Sequence, residues 1–262
     1  MTDFLQRTRS YIDHLVRARA RHGVHSPFVY ELIESVFRPR PVDEAFAAIE
    51  QFRSDLLRSD HTIQVIDLGA GSARSNGPTR RVADQARSAL KPPHQARLLY
   101  KLARHLDARQ VLELGTSFGL TTLYLAYGAR NGQVHTIEGC PETLSIAKKN
   151  FEILPQPRIH ATLGSFEDRL PDVLRRMERL DLAFIDGHHE EEATLRYFEL
   201  CLSKAHNDTV LVLDDIHWSC GMESAWERVK DHSAVTVTID LYDMGLVFLR
   251  SEQAKEHFRL RY

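Results

Sequence analysis

The spacing of apolar positions divides this chain near residue 107. Before that point apolar residues recur at helical intervals; after it, short apolar runs alternate with amphipathic stretches. Phe4, Leu5, Tyr11, Ile12, Leu15 and Val16 line one stripe of a helix predicted over Thr2–His22, with Thr2 as its cap and Gly23 as its stop. Ser26-Pro27 reads as an N-cap followed by proline at the first position of a helix over Phe28–Phe37. Pro39 and Pro41 break that helix, and Asp43 opens a third that runs to Arg58. Two more are predicted over Arg80–Leu90 and His94–Leu106, divided at Pro92-Pro93.

From Gln110 the runs read as strands over Gln110–Leu114, Gln133–Ile137, Arg158–Leu163, Leu180–Ile185, Thr209–Leu213, Val235–Leu241 and Leu246–Arg250. Helices are predicted between them over Leu120–Ala129, Pro141–Leu154, Phe166–Met177, Glu190–Leu202 and Gly221–Lys230. Such alternation means βαβ units with right-handed crossovers. The link around Asp243-Met244-Gly245 is too short for a crossover, so the last two strands should form an antiparallel hairpin. The expected fold is α/β and doubly wound: a seven-stranded, mostly parallel sheet with an antiparallel last strand, plus an N-terminal helical appendage. The expected division is an appendage over 1–60, serving as lid or dimer contact, and a domain over 61–262 with a cofactor core at 92–250.

Composition narrows the partners. A net charge of -2 exerts no global pull toward nucleic acid or an anionic membrane. No run approaches the ~18 apolar residues of a membrane span, and the polar N-terminus has no apolar leader core, so a cytoplasmic protein is expected. Cys140, Cys201 and Cys220 show no metal-knuckle spacing and read as reduced thiols. Arg7, Arg9, Arg17, Arg19 and Arg21 make the first helix basic; solvated arginines on a packed helix are the favoured reading, and nucleic acid is not an expected partner.

The chemistry begins at Val111–Leu120, where an apolar strand enters a glycine turn and an apolar helix follows at once. That arrangement aims backbone N–H groups at a nucleotide-like ligand. Glu138 closes the next strand at roughly the 20-residue distance of a ribose-binding acid. A second stretch, Thr62–Ser72 with Gly69 and Gly71, imitates this turn, but no apolar helix or distant acid follows it. It reads as a short strand or surface hairpin with glycines for turn geometry. Asp186, Asp214 and Asp215 stand at strand ends, and His188, His189, His217 and Trp218 lie close by, where open α/β sheets bind ligands.

These blocks resemble the class I S-adenosylmethionine-dependent methyltransferases. Glu113, Gly115, Ser117 and Gly119 are similar to that family's E-x-G-x-G-x-G turn, with Ser117 in place of the middle glycine. Over Pro92–Arg250 the similarity is greatest to the catechol and caffeoyl-CoA type of O-methyltransferases. It rests on Val111–Gly115, Ile137–Pro141, Leu163–Asp168, and the two acidic strand ends Phe184–His189 and Val212–Ile216. The opening His22–Tyr30 also looks like the start of a group of bacterial methyltransferases of uncharacterised substrate.

The resemblance implies S-adenosylmethionine as cofactor and a small-molecule hydroxyl as acceptor. It places Glu113 near the ammonium of the methionine portion, Gly115, Ser117 and Gly119 along the backbone cradle, and Glu138 on the ribose hydroxyls. Gly164, Ser165 and Phe166 would flank the adenine. Asp186, Asp214 and Asp215 match the positions that hold Mg²⁺ or another divalent cation in the metal-dependent relatives, with aspartate replacing asparagine at the last. Whether an ion binds is open at this point. His189 stands where the catechol-type enzymes have a base lysine and, with Asp186, is the catalytic candidate. Trp218 is read as an acceptor-stacking platform. The alternatives are methylation of RNA or protein, motivated by the basic first helix, and a non-catalytic cofactor-binding protein, motivated by the missing lysine. A homodimer through the apolar helices is the oligomer considered.

Overall fold

A computed structural model of the protein describes residues 2–18, 25–40, 43–66, 79–154 and 158–262, with side chains from residue 8 onward. They form two compact units: Met1–Arg38 with Glu178–Tyr262, and Pro39–Met177. Helix α1 spans Thr2–Arg17; the expected end at His22 and Gly23 lies outside the described residues. Ser26 caps α2 (Pro27–Leu32) by accepting a hydrogen bond from the Val29 amide at 3.4 Å. The predicted helix continues to Phe37, but as a π-helical turn over Ile33–Phe37.

In the unit Pro39–Met177, Asp43 serves two elements. Its Oδ1 accepts from the Ala45 amide at 3.0 Å and so caps α3 (Glu44–Arg58). Its Oδ2 accepts from the Tyr100 hydroxyl at 3.0 Å. Strands β1 (Thr62–Gln64) and β2 (Thr79–Arg81) pair antiparallel, as a hairpin requires; Gly69 and Gly71 lie outside the described residues. Helices α4 (Val82–Ala89) and α5 (Pro93–His105) follow. Then come β3 (Gln110–Leu114), α6 (Leu120–Gly128), β4 (Gln133–Glu138), α7 (Pro141–Ile153), β5 (Ile159–Leu163) and α8 (Phe166–Arg176).

Strand β4 lies between β3 and β5, parallel to both. Helix α6 is apolar nearly all round, and a helix of that kind must be covered on every side. Leu123 and Tyr124 are fully buried in one cluster with Phe46, Ile49, Ala96 and Tyr100 from α3 and α5. The Tyr124 hydroxyl donates to Glu50 Oε1 at 2.8 Å. Burial, reinforced by this carboxylate, pushes its pKa up to about 12.

His135 on β4 gives this unit a pH dependence. Its ring stacks on His160 of β5 with centroids 4.9 Å apart. Burial, then the charges of His160 and Arg176, push its pKa down to about 4. The unfolded chain takes up this proton near pH 6.5, the folded chain only near pH 4, so stability falls as the pH drops through that window. The expected loss is on the order of 2 kcal/mol once the ring's partial exposure is allowed for. Urea unfolding at pH 7 and pH 5 should show a smaller loss for His135→Phe than for the wild type. Equal losses in both proteins would remove His135 as the cause.

In the other unit, β6 (Leu180–Ile185) is buried throughout and is apolar but for Asp181, which pairs with His206 and Arg179, as suits a strand covered on both faces. It is followed by α9 (Glu191–Leu202), β7 (Ala205–Asp214), α10 (Cys220–Asp231), β8 (Val237–Asp240), β9 (Met244–Phe248) and β10 (Glu256–Arg259). β6 and β7 are parallel, and β9 runs antiparallel to both β7 and β8. The expected hairpin is therefore β8–β9. β10 then pairs parallel with β8, which adds an eighth strand to the seven expected in the mostly parallel α/β arrangement. No helix among the described residues is long and apolar enough to cross a membrane.

Candidate active site

The turn after β3 alternates its backbone hand. Gly115, Ser117 and Gly119 all adopt positive φ, at 99°, 49° and 82°. A side chain at 119 would also meet the Phe151 ring, whose Cε1 lies 2.5 Å from an ideal Cβ, so glycine is required there twice over. Ser117 holds the left-handed conformation without that freedom, at a cost of about 1–2 kcal/mol. The compensating contact comes from β4: Glu138 Oε2 accepts from the Ser117 amide at 2.8 Å, and Oε1 accepts from the Cys140 amide at 2.9 Å. The predicted ribose acid therefore braces the predicted cradle.

Glu113 sits differently from a ligand-facing acid. It is 0% exposed, and its Oε2 accepts from Thr122 Oγ1 at 2.5 Å and Thr136 Oγ1 at 2.7 Å. This places the carboxylate beneath the turn, between β4 and the first turn of α6. The two threonines were missed from the sequence because neither has a motif of its own. On the β5 side, Gly164 has φ 142° and donates its amide to Glu138 O at 2.9 Å. Ser165 caps α8 through the Asp168 amide at 3.1 Å, which sets half-buried Phe166 at the helix start.

The second set of candidates stands at the ends of β6 and β7. Asp186, His189 and Asp214 bring one ligand atom each within 4.8 Å of one another. His189 Nε2 is 3.7 Å from Asp186 Oδ1 and 3.9 Å from Asp215 Oδ2, beyond hydrogen-bond reach of either. Asp214 is buried at 1% exposure, whereas Asp215 is half-buried and meets the cluster through His189. The Trp218 ring lies 6.4 Å from that of His189 and is 42% exposed. Two further histidines point elsewhere. His188 Nδ1 pairs with the Tyr197 hydroxyl at 2.9 Å, and His217 Nε2 lies 3.0 Å from Asp240 Oδ2.

Strain marks the same places. Among the described non-glycine residues with positive φ are Ser117, His188, His189 and Asp215, each directly after β3, β6 or β7. Strained backbone persists where surrounding structure over-determines it, and it gathers at binding and catalytic loops. The Asp186 and Asp214 carboxylates are hard oxygen donors that fit Mg²⁺ or another divalent cation, with the His189 ring beside them.

Residues 112–216 match the family described as "Methyltransferase domain". The chain is 32% identical over 124 residues to a catechol O-methyltransferase from Mycobacterium tuberculosis, covering 47% of this chain and 54% of that one. A catechol O-methyltransferase from Niastella koreensis is 26% identical over 180 residues, 66% of this chain and 75% of its own. The chain thus spans about half the length of the mycobacterial relative and three quarters of the other. An O-methyltransferase structure from Bacillus cereus in complex with SAH superposes with a TM-score of 0.58 at 21% identity, over 84% of this chain and 97% of that one, a likeness of fold.

Proposed function

Because the chain belongs to the class I S-adenosylmethionine-dependent methyltransferases, of the O-methyltransferase group, we propose that it methylates a hydroxyl of a small molecule with S-adenosylmethionine as donor. The observation that carries this reading is the Glu138 carboxylate held against the Ser117 and Cys140 amides beside three positive-φ residues. Such a turn admits a ligand close to its backbone and offers an anionic acceptor for a diol.

When bound, S-adenosylmethionine supplies a methyl group on a sulfonium, a good leaving group. The protein's part is alignment and proton management. The Gly115–Gly119 backbone receives the methionine portion, Glu138 accepts from the ribose hydroxyls, and Ser165 and Phe166 flank the adenine. Glu113 acts from beneath: its bonds to Thr122 and Thr136 fix the turn on which the cofactor lies. Asp186 and Asp214 hold the acceptor end and are the carboxylates for a divalent cation, which when bound would acidify the acceptor hydroxyl. With donor and acceptor bound, His189 Nε2 would be the group that takes the acceptor hydroxyl's proton. Exposed Trp218 offers a ring on which an aromatic acceptor stacks.

The test has two steps. Calorimetric titration with S-adenosylmethionine and with S-adenosylhomocysteine should give saturable binding, and its absence for both would end this reading. Radiolabelled methyl transfer to a panel of catechols, phenols and aliphatic alcohols then identifies the acceptor class. Label appearing in added RNA or protein, and in no small molecule, would overturn the small-molecule assignment.

A further inference from the structure

The unit Met1–Arg38 with Glu178–Tyr262 holds a second group of metal-ligating atoms, outside the cluster at Asp186. His14 of α1, His217 of the loop after β7, and Asp240 at the end of β8 also bring one ligand atom each within 4.8 Å. We propose that these three residues bind a divalent first-row transition-metal ion of the zinc class, which fastens α1 to the strands.

The hydrogen-bond partners fix which ring nitrogens are available. His14 Nε2 lies 3.3 Å from the Leu260 carbonyl, which only accepts, so Nε2 carries the proton and Nδ1 the lone pair. His217 Nδ1 lies 3.2 Å from Glu223 Oε1, so that nitrogen carries the proton and Nε2 the lone pair. Ser10 also bonds Glu223 and stands 3.3 Å from the same nitrogen. Both lone-pair nitrogens face Asp240: His14 Nδ1 is 3.2 Å from Oδ1, and His217 Nε2 is 3.0 Å from Oδ2. A backbone carbonyl on one ring and a carboxylate on the other are the outer partners that metal-ligating histidines use.

Donors each about 2.1 Å from one ion stand roughly 3–3.5 Å apart; each histidine nitrogen lies at about that distance from an Asp240 oxygen, and one ligand atom from each residue lies within 4.8 Å of the others. His14 Nδ1 is fully buried, and its one polar neighbour among these ligands, Asp240 Oδ1 at 3.2 Å, stands outside good hydrogen-bond geometry, a position an ion would satisfy better. The side chains of His14 and Asp240 are 4% and 5% exposed. Tyr242, at φ 74°, donates its amide to Asp240 Oδ1 at 2.8 Å and stacks its ring on His217 with centroids 5.2 Å apart. The pocket already draws positive charge. Arg259 Nε, 3.6 Å from Asp240 Oδ2, is shared with Asp13, which takes NH1 at 2.8 Å. Two imidazoles with one carboxylate select Zn²⁺, Fe²⁺ or Co²⁺ over Mg²⁺. His14 and His217 also line a cavity of about 320 Å³, together with Ser10, Glu223 and Trp226.

Co²⁺ is the probe, because its visible bands report nitrogen and oxygen ligands directly. In the full chain carrying Asp214→Asn, which silences the other cluster, Co²⁺ should bind one equivalent with d–d bands that Zn²⁺ displaces. Adding His217→Ala should abolish the bands, and Glu223→Gln should weaken binding roughly 10- to 100-fold. Zn²⁺ at about 100 times its Kd should raise the Tm of the metal-free Asp214→Asn protein by about 5 °C or more. Circular dichroism of the metal-free His217→Ala protein separates lost binding from lost folding, and Asp240→Asn gives a second, isosteric variant. Absence of bands and of a Tm shift in a folded Asp214→Asn protein would overturn the proposal. Bands that survive His217→Ala in a folded protein would overturn it equally.

Discussion

Glu138→Ala should weaken S-adenosylmethionine binding at least ~100-fold, measured by calorimetry, with a smaller loss of thermal stability. Each Glu138 oxygen accepts one backbone amide in the free protein, from Ser117 and Cys140. A carboxylate offers about four acceptor positions in all, and the proposed reading gives two of them to the ribose hydroxyls. Hydrogen bonds to a charged group contribute roughly 1.5–3 kcal/mol each, and every 1.4 kcal/mol is tenfold in Kd. Two such bonds account for a factor of about 100 to 10,000. The alanine variant also leaves the strained Ser117 turn without its brace, which raises the loss further. Glu138→Gln separates the two contributions. Its amide NH₂ cannot accept from both a backbone N–H and a hydroxyl, so affinity should fall with much of the side-chain volume kept. Binding by Glu138→Ala within fivefold of wild type would mean that the turn holds something else.

Much of this turn was legible in the sequence because it depends on local signals. An apolar run, a glycine pair and an acid at fixed spacing are consequences of strand pairing and backbone hand, and both are written residue by residue. The same holds for Ser26 and Asp43, whose capping roles follow from side-chain chemistry and the residues after them. What the sequence did not reveal depends on dihedral angles within turns. Asp214 and Asp215 are neighbours, yet Asp215 at φ 51° is half-buried while Asp214 stays buried beside Asp186 and His189. The turn closed by the Trp218 amide on Asp215 O at 2.9 Å carries His217 to Asp240, although in sequence it lies close to the two aspartates. β10 escaped notice for another reason: Phe258 alone of its four residues is buried, so it has no apolar run to announce it. His14 and Asp240 are separated by more than two hundred residues, and no periodicity joins them.

His189→Gln should lower kcat for the identified acceptor by ~10²–10⁴, the range of a lost general base, and leave S-adenosylmethionine affinity within twofold. The geometry behind this is the position of Nε2, 3.7 Å from Asp186 and 3.9 Å from Asp215 and bonded to neither, so its lone pair remains available. Glutamine keeps the hydrogen-bonding reach but has no basic nitrogen. A residue that merely packed against Trp218 would change KM and stability instead. Asp214→Asn tests the other half of the arrangement. Asp214 is buried at the end of β7, and the isosteric amide preserves volume while removing the charge that holds a cation or an acceptor hydroxyl. After dialysis against a chelator, Mg²⁺ should restore wild-type turnover, and Asp214→Asn should not respond to it. Full turnover by His189→Gln would require another proton acceptor, and His188, held by Tyr197, and His217, held by Asp240, are both committed elsewhere. Among the three histidines at these strand ends, His189 is the one whose ring nitrogen stands beside Asp186 and Asp215, and that position is why the proposed mechanism gives it the proton.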